Sequence, residues 1–154
     1  MMYLSLKALH LLSMVVLFGT GLGSAWYKWM ADRGGNVSHI ARTNKQVVLA
    51  DWLFTTPTIV IQPLTGIGML LIMGIPFSTP WVMASLLLYA LAGACWLPVV
   101  WLQIRMQRLS ALADESGDAL GKQYWRYART WLWLGVPAFT SMVLIVLMMV
   151  FKVA

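Results

Sequence analysis

A chain of 154 residues with 60% hydrophobic and 10% charged side chains is too apolar for a soluble domain, in which about half of the residues are apolar and about a quarter charged. The formal net charge of +6 would suit a nucleic acid. The basic residues, however, sit at the ends of apolar runs, where lipid head groups and the positive-inside rule account for them. Composition therefore predicts an integral membrane protein with the lipid bilayer as its first partner and gives no support to nucleic-acid binding. A single cysteine, Cys95, excludes a disulfide or thiol pair within the chain.

In chain order, four segments reach the roughly 20 residues that a helix needs to cross a hydrocarbon core. They are residues 4–29, 47–75, 81–104 and 131–151. The expected fold is all-α, a four-transmembrane-helix bundle forming a single transmembrane domain over residues 1–154. The first segment opens with a lysine, as a signal peptide does. It runs past the usual signal core and ends in aromatic and basic residues, which reads as a retained helix. Lys28, Arg33, Arg42 and Lys45 flank the first connection, and Arg105, Arg108, Lys122, Arg126 and Arg129 flank the third, whereas the second, around Pro76 to Pro80, has no basic residue. The positive-inside rule then places both termini in the periplasm of a bacterial inner (plasma) membrane protein. Trp26, Trp29, Trp52, Trp101, Trp125, Trp131 and Trp133 cluster toward the same basic interface, with Trp96 deeper. Between the third and fourth segments, one short helix followed by a flexible stretch over Asp114 to Asp118 is expected.

The chemistry has to be sought among polar residues inside the spans. His10 lies about two turns into the first segment, roughly 9 Å below its start at 1.5 Å per residue, with Lys7, Ser13, Met14, Leu17 and Gly21 at nearby helical positions. Intramembrane ionisable groups are uncommon and usually functional. A neutral imidazole there can ligate haem iron, relay a proton or bond a neighbouring helix. Gly19 and Gly23 form a GxxxG pair, a signal for close helix packing within the bundle or between protomers.

The second segment carries Asp51, Pro57, Gln62 and Pro63. Each proline removes a backbone donor and frees a carbonyl where water is scarce, which predicts a bent or locally unwound helix whose threonines satisfy the freed groups. Gln62, near the midplane, is a candidate to bridge helices or bond a ligand. Asp51, close to the basic end, is expected to form a structural ion pair with Arg105, Arg126 or Arg129, with proton transfer as the alternative. The same three arginines are candidates to hold the anionic groups of a porphyrin or quinone-type ligand, or else anchor the helices at the interface. His39 falls in a polar connection and reads as a solvated histidine. Nothing matches a catalytic triad, a carboxylate dyad or a zinc-ligand set.

Through Lys7-Ala-Leu-His10, Phe18-Gly-Thr-Gly21, Asp51-Trp-Leu-Phe-Thr-Thr-Pro57, Gln62-Pro63-Leu-Thr-Gly66, Trp96-Leu-Pro98-Val and Tyr124-Trp-Arg-Tyr-Ala-Arg129, nearly the whole chain resembles a bacterial family of small four-helix predicted integral membrane proteins. The first helix is also similar to that of the HemJ-type protoporphyrinogen oxidases and of CopD-type membrane proteins. The HemJ resemblance implies a b-type haem with His10 as iron ligand. The further histidines of those enzymes have no counterpart here, so their oxidase activity is not carried over. The first functional expectation is thus a haem-binding or quinone-linked redox membrane protein using His10, Gln62 and the three arginines. The alternative is a non-catalytic subunit or assembly scaffold paired with another membrane protein or with itself as a homodimer, and a third is a small transporter or copper conduit.

Overall fold

A computed structural model describes residues 1–152, so the single domain expected over residues 1–154 is described up to Lys152. Four helices account for almost all of it: α1 (Met2–Gly34), α2 (Val37–Met73), α3 (Pro80–Ser116) and α4 (Lys122–Phe151). Each is long and apolar enough to cross a membrane, so the chain is an all-α, multi-pass membrane protein.

The helices outrun the apolar segments that announce them. At 1.5 Å per residue the 33 residues of α1 extend about 50 Å, well beyond a hydrocarbon core of roughly 30 Å. The excess lies at the basic end, where α1 runs on to Gly34, α2 begins at Val37, α3 continues to Ser116 and α4 begins at Lys122. The short helix and flexible stretch expected after Met106 are replaced by unbroken α3, because Gln107 to Ser116 contains neither glycine nor proline. Tight turns close this end. Gly35 and Gly117 take φ of 68° and 72°, a left-handed conformation that side chains with a Cβ rarely adopt. Asn36 caps α2 by accepting from the His39 amide at 2.9 Å, and the Ser38 hydroxyl bonds the Asp114 carboxylate across to α3.

Packing runs around the bundle from α1 to α2, α2 to α3 and α3 to α4. Polar side chains outnumber apolar ones among the buried residues described, while leucine, valine and tryptophan dominate the exposed ones. That inversion follows from the solvent, since lipid tails already satisfy an apolar side chain and leave polar groups to seek one another inside. Only at the basic end does an apolar core gather, with Ile40, Leu102, Met106 and Tyr124 almost fully covered.

The bend expected in α2 takes the form of a π-helical turn over Asp51–Thr55. Its wider turn lets residues four apart lie on one line, so Asp51 and Thr55 both point inward and continue into the buried series Thr58, Gln62 and Thr65. Pro63 withholds the amide that would have bonded the Ile59 carbonyl. The Tyr89 hydroxyl from α3 donates to that oxygen instead. Thr56 and Thr58 hydroxyls donate to the carbonyls of Asp51 and Phe54, both at 2.9 Å, as expected for a proline-containing span.

The glycines that permit close approach are not those of the GxxxG pair. A Cβ at Gly19 or Gly23 would touch nothing within 4 Å, whereas one at Gly66 would lie 3.5 Å from His10 Cε1 and one at Gly68 3.1 Å from Leu6 Cδ1. Within the bundle, α1 and α2 therefore meet through the glycines of α2.

Candidate functional site

Three polar clusters lie along the bundle axis. One, near the start of α1, joins α1 to α2. Gln62 Nε2 donates to the His10 carbonyl at 2.9 Å and to Ser13 Oγ at 2.8 Å, and His10 Nδ1 lies 2.8 Å from Thr65 Oγ1. The Thr65 hydroxyl donates its own proton to the Ile61 carbonyl at 2.7 Å, so it accepts from His10. That assigns the proton of the neutral ring to Nδ1 and the lone pair to Nε2. His10 and Gln62, distant in sequence, are thus neighbours, and Thr65 and Ser13 complete their cluster.

Another cluster, at the basic end, draws on all four helices. Lys28 Nζ donates to Asp32 Oδ2 at 2.8 Å and to the Tyr124 hydroxyl at 3.1 Å. Tyr124 donates to Asp32 Oδ1 at 2.6 Å and accepts from Asn44 Nδ2 at 3.0 Å. The other Asn44 hydrogen reaches Ser110 Oγ at 3.0 Å, and Ser110 donates to the Met106 carbonyl at 2.8 Å. Every donor and acceptor of the Tyr124 hydroxyl is used. The Lys28 ammonium also lies 5.4 Å from the centre of the Trp131 ring, within cation–π range. Lys28 reads from the sequence as a head-group anchor, yet it is 1% exposed. The signal for the pair was Lys28 and Asp32 one helical turn apart, four residues being the spacing at which opposite charges meet. Asn44, Ser110 and Tyr124 had no such mark, because their partners are on other helices.

Between the two clusters is a cavity of about 350 Å³ lined by all four helices. Small residues make the space: Gly21 and Ala25 on α1, Ala92 and Gly93 on α3, and Gly135 and Ala138 on α4 line it. A Cβ at Gly21, Gly93 or Gly135 would meet nothing within 4 Å. The wall is mainly apolar and aromatic, with Phe18 and Phe139 in edge-to-face contact at 5.5 Å where α1 meets α4. Against this background stand Asp51, Thr55, Trp96, Gln103 and Trp131.

Asp51 is buried, and its Oδ1 accepts from the Thr55 hydroxyl at 2.8 Å. Gln103 lines the cavity with them. The ion pair expected between Asp51 and an arginine is not formed. Among the described residues the only salt bridge is Lys28 with Asp32, because the π turn aims Asp51 into the bundle while Arg105, Arg126 and Arg129 are exposed on its outside. The Arg105 guanidinium stacks over Trp101 at 5.2 Å. None of the three arginines lines the cavity, and none accompanies His10, which sits two turns further toward the other end of α1. Of the stripe on α1, Leu17 and Gly21 line the cavity, Ser13 joins His10 and Lys7 is exposed.

Three buried side-chain polar atoms lack any partner among the described residues: Trp96 Nε1, Gln103 Oε1 and Trp131 Nε1. The three residues that carry them line this cavity, and Trp96 and Gln103 also line a groove between α2 and α3. Sequence reasoning placed Trp131 in the interfacial belt. Trp26, Trp52, Trp101, Trp125 and Trp133 are indeed exposed, but Trp131 turns inward over Lys28. No group of three or more His, Cys, Asp or Glu side chains arranged to hold a metal ion occurs among the described residues.

The chain belongs to the family described as predicted integral membrane protein (DUF2269), which it matches over residues 4–153. That agrees with the four-span architecture and with the family resemblance of its motifs. No curated protein and no solved structure matches it.

Proposed function

We propose that the protein is a quinone-binding, redox-linked protein of the bacterial inner membrane, with the basic end facing the cytoplasm and the ligand seated in the central cavity. The observation that carries this reading is one apolar, aromatic-walled cavity whose lining includes the buried pair Asp51 and Thr55 and three residues, Trp96, Gln103 and Trp131, that each carry a buried polar atom without a partner. An unsatisfied buried polar group costs about 1–3 kcal/mol, and native proteins hold few of them. A ligand with oxygen atoms on a flat ring offers acceptors that suit indole donors, aromatic walls suit the ring, and the apolar remainder suits a hydrocarbon tail. The volume falls within the usual range for small-molecule sites, roughly 300–1,000 Å³. The polar groups Asp51, Gln103 and Trp131 lie toward the basic end of the cavity and Leu17, Phe139 and Met142 toward its opposite end, so a head group near the interface with its tail in the bilayer fits the gradient.

The test is extraction of the protein from bacterial membranes in polymer-bounded lipid discs, followed by mass spectrometry of bound lipids and an oxidised-minus-reduced absorption spectrum. Quinone enriched to near one per chain over the surrounding lipid is the expected result. No enrichment, together with no change in melting temperature on adding a decyl-chain benzoquinone or its reduced form, overturns it. A Soret band that disappears in His10→Ala puts a haem at His10 Nε2 in place of the quinone reading. Reporter fusions to the first and second connections read the orientation, with the first expected on the cytoplasmic side.

A further inference from the structure

The groove between α2 and α3 encloses about 350 Å³. Asp51, Trp96 and Gln103 divide it from the central cavity, since they line both. The rest of its wall is almost wholly apolar, with Val48 and Trp52 on α2 and Leu97, Val100, Trp101 and Ile104 on α3. Trp52 and Trp101 are 58% and 49% exposed, so the groove faces the bilayer. From Val48 at the basic end it runs down α2 to Thr56, about 12 Å at 1.5 Å per residue.

Cations gather at one end of this groove. The Arg105 guanidinium lies 5.2 Å from the centre of the Trp101 ring, which holds it at the lip. The bonds from Ser38 to Asp114 and from Asn44 to Ser110 set α2 and α3 in antiparallel register. That register brings Lys45 level with Arg108, within a residue. Lys45 precedes Val48 by about one turn and Arg108 follows Ile104 by one turn, so both stand just beyond the basic end of the groove. All three cations are exposed, and none is paired with a carboxylate, the only salt bridge among the described residues being Lys28 with Asp32. Asp114 and Glu115 follow Arg108 along α3 only about 9–10 Å farther out.

An apolar, indole-walled groove with three unpaired cations at one end is complementary to a molecule with an anionic head and a hydrocarbon chain. The planar guanidinium fork matches phosphate oxygens, and basic clusters at a bilayer surface recognise anionic head groups. We infer that the groove between α2 and α3 is a binding site for an anionic phospholipid, with the phosphate among Lys45, Arg105 and Arg108 and one acyl chain lying along Trp52, Val100 and Trp101. A neutral quinone leaves the cations unanswered, and a zwitterionic lipid brings a cation of its own. The site goes beyond the central cavity and does not depend on the ligand proposed there.

The experiment is native mass spectrometry and thermal melting of the full-length protein in discs of phosphatidylcholine containing a minority of phosphatidylglycerol. One phosphatidylglycerol retained per chain, enriched about tenfold over the surrounding bilayer, is the expected result, with a melting temperature above that in pure phosphatidylcholine. Replacing Lys45, Arg105 and Arg108 together by Gln is expected to reduce the enrichment to about twofold or less, whereas replacing Lys122, Arg126 and Arg129 by Gln leaves it near the wild-type level. Val100→Phe, which narrows the groove without altering charge, is expected to lower retention as well. Melting in pure phosphatidylcholine at the wild-type temperature shows that each variant is folded. No enrichment by the wild type overturns the inference. Equal losses in the two charge variants overturn it too, because the attraction is then a diffuse one to the whole basic end. Unchanged retention in Val100→Phe places the lipid outside the groove, and a dimer that excludes the lipid gives the groove to a second copy of the chain.

Discussion

Lys28 and Tyr124 lie 96 positions apart in the chain and 3.1 Å apart in the bundle, where the ammonium donates to the phenolic oxygen. The contact ties α1 to α4 at the basic end, beyond the cavity that both helices line. It also explains how a lysine comes to be buried. Asp32 at 2.8 Å neutralises it, Tyr124 takes a second hydrogen, and the Trp131 ring lies 5.4 Å from the remaining charge. A buried polar network whose members are all satisfied fixes a unique arrangement, and removing one member leaves the others exposed to the full cost of burial.

Tyr124→Phe is accordingly expected to lower stability by about 1–3 kcal/mol, read as a fall in melting temperature in detergent. Lys28→Met is expected to cost more, about 3–5 kcal/mol, because it leaves the Asp32 carboxylate without its cation. Adding Asp32→Asn to Lys28→Met should recover part of that loss. A double variant no more stable than Lys28→Met alone means that the ion pair is not what holds this end together.

The bond from Tyr89 to the Ile59 carbonyl makes sense only beside Pro63, which cannot donate to that oxygen. Tyr89→Phe should therefore destabilise the protein by about 1 kcal/mol, near the range of interhelical hydrogen bonds measured in membranes. In a Pro63→Ala background the same change should cost less, since the alanine amide takes over the carbonyl. A double-mutant cycle on melting measures the coupling, and strictly additive effects would show that the hydroxyl and the proline are unrelated.

Around His10 the close approach is to Gly66. A methyl group there meets His10 Cε1 at 3.5 Å, an ordinary contact, so Gly66→Ala should fold and assemble as the wild type does. Gly66→Ile has no such room and should push the ring off Thr65, costing about 1–3 kcal/mol as overpacking does. Histidine-selective NMR of the ring nitrogens checks this. The protonated Nδ1 signal expected for wild type and Gly66→Ala should be shifted in Gly66→Ile, and an unchanged spectrum would place His10 away from α2.

Filling the cavity separates ligand binding from folding. Gly135→Leu adds a side chain at a position where a Cβ meets nothing and the cavity wall begins. It should leave the melting temperature of ligand-free protein unchanged or raised, and the chain should purify without quinone. Retention of ligand at the wild-type level would show that the cavity is not where it binds.

The sequence alone determined the class of protein and its four crossings, because the partition of a residue between water and hydrocarbon depends on its own chemistry and that of its near neighbours along one helix. It determined by the same local rules that α2 is interrupted near Pro57, and which connections carry the basic charge. It marked His10, Asp51 and Gln62 as polar groups in apolar surroundings. Only the tertiary structure decided who partners them. His10 and Gln62 share one network, while Asp51 meets Thr55 and no arginine, since the π turn rotates it inward and the exposed arginines lie on the outer faces. The cavity was illegible for a further reason: it is made by absent side chains on three helices, and a glycine or alanine says nothing by itself about what stands opposite. Trp131 shows the same limit, being one tryptophan among several at the basic interface whose inward turn is set by Lys28 on another helix. Helix-forming and membrane-crossing tendencies add up along the chain, whereas pairing between helices depends on rotation about each axis, which no single segment encodes.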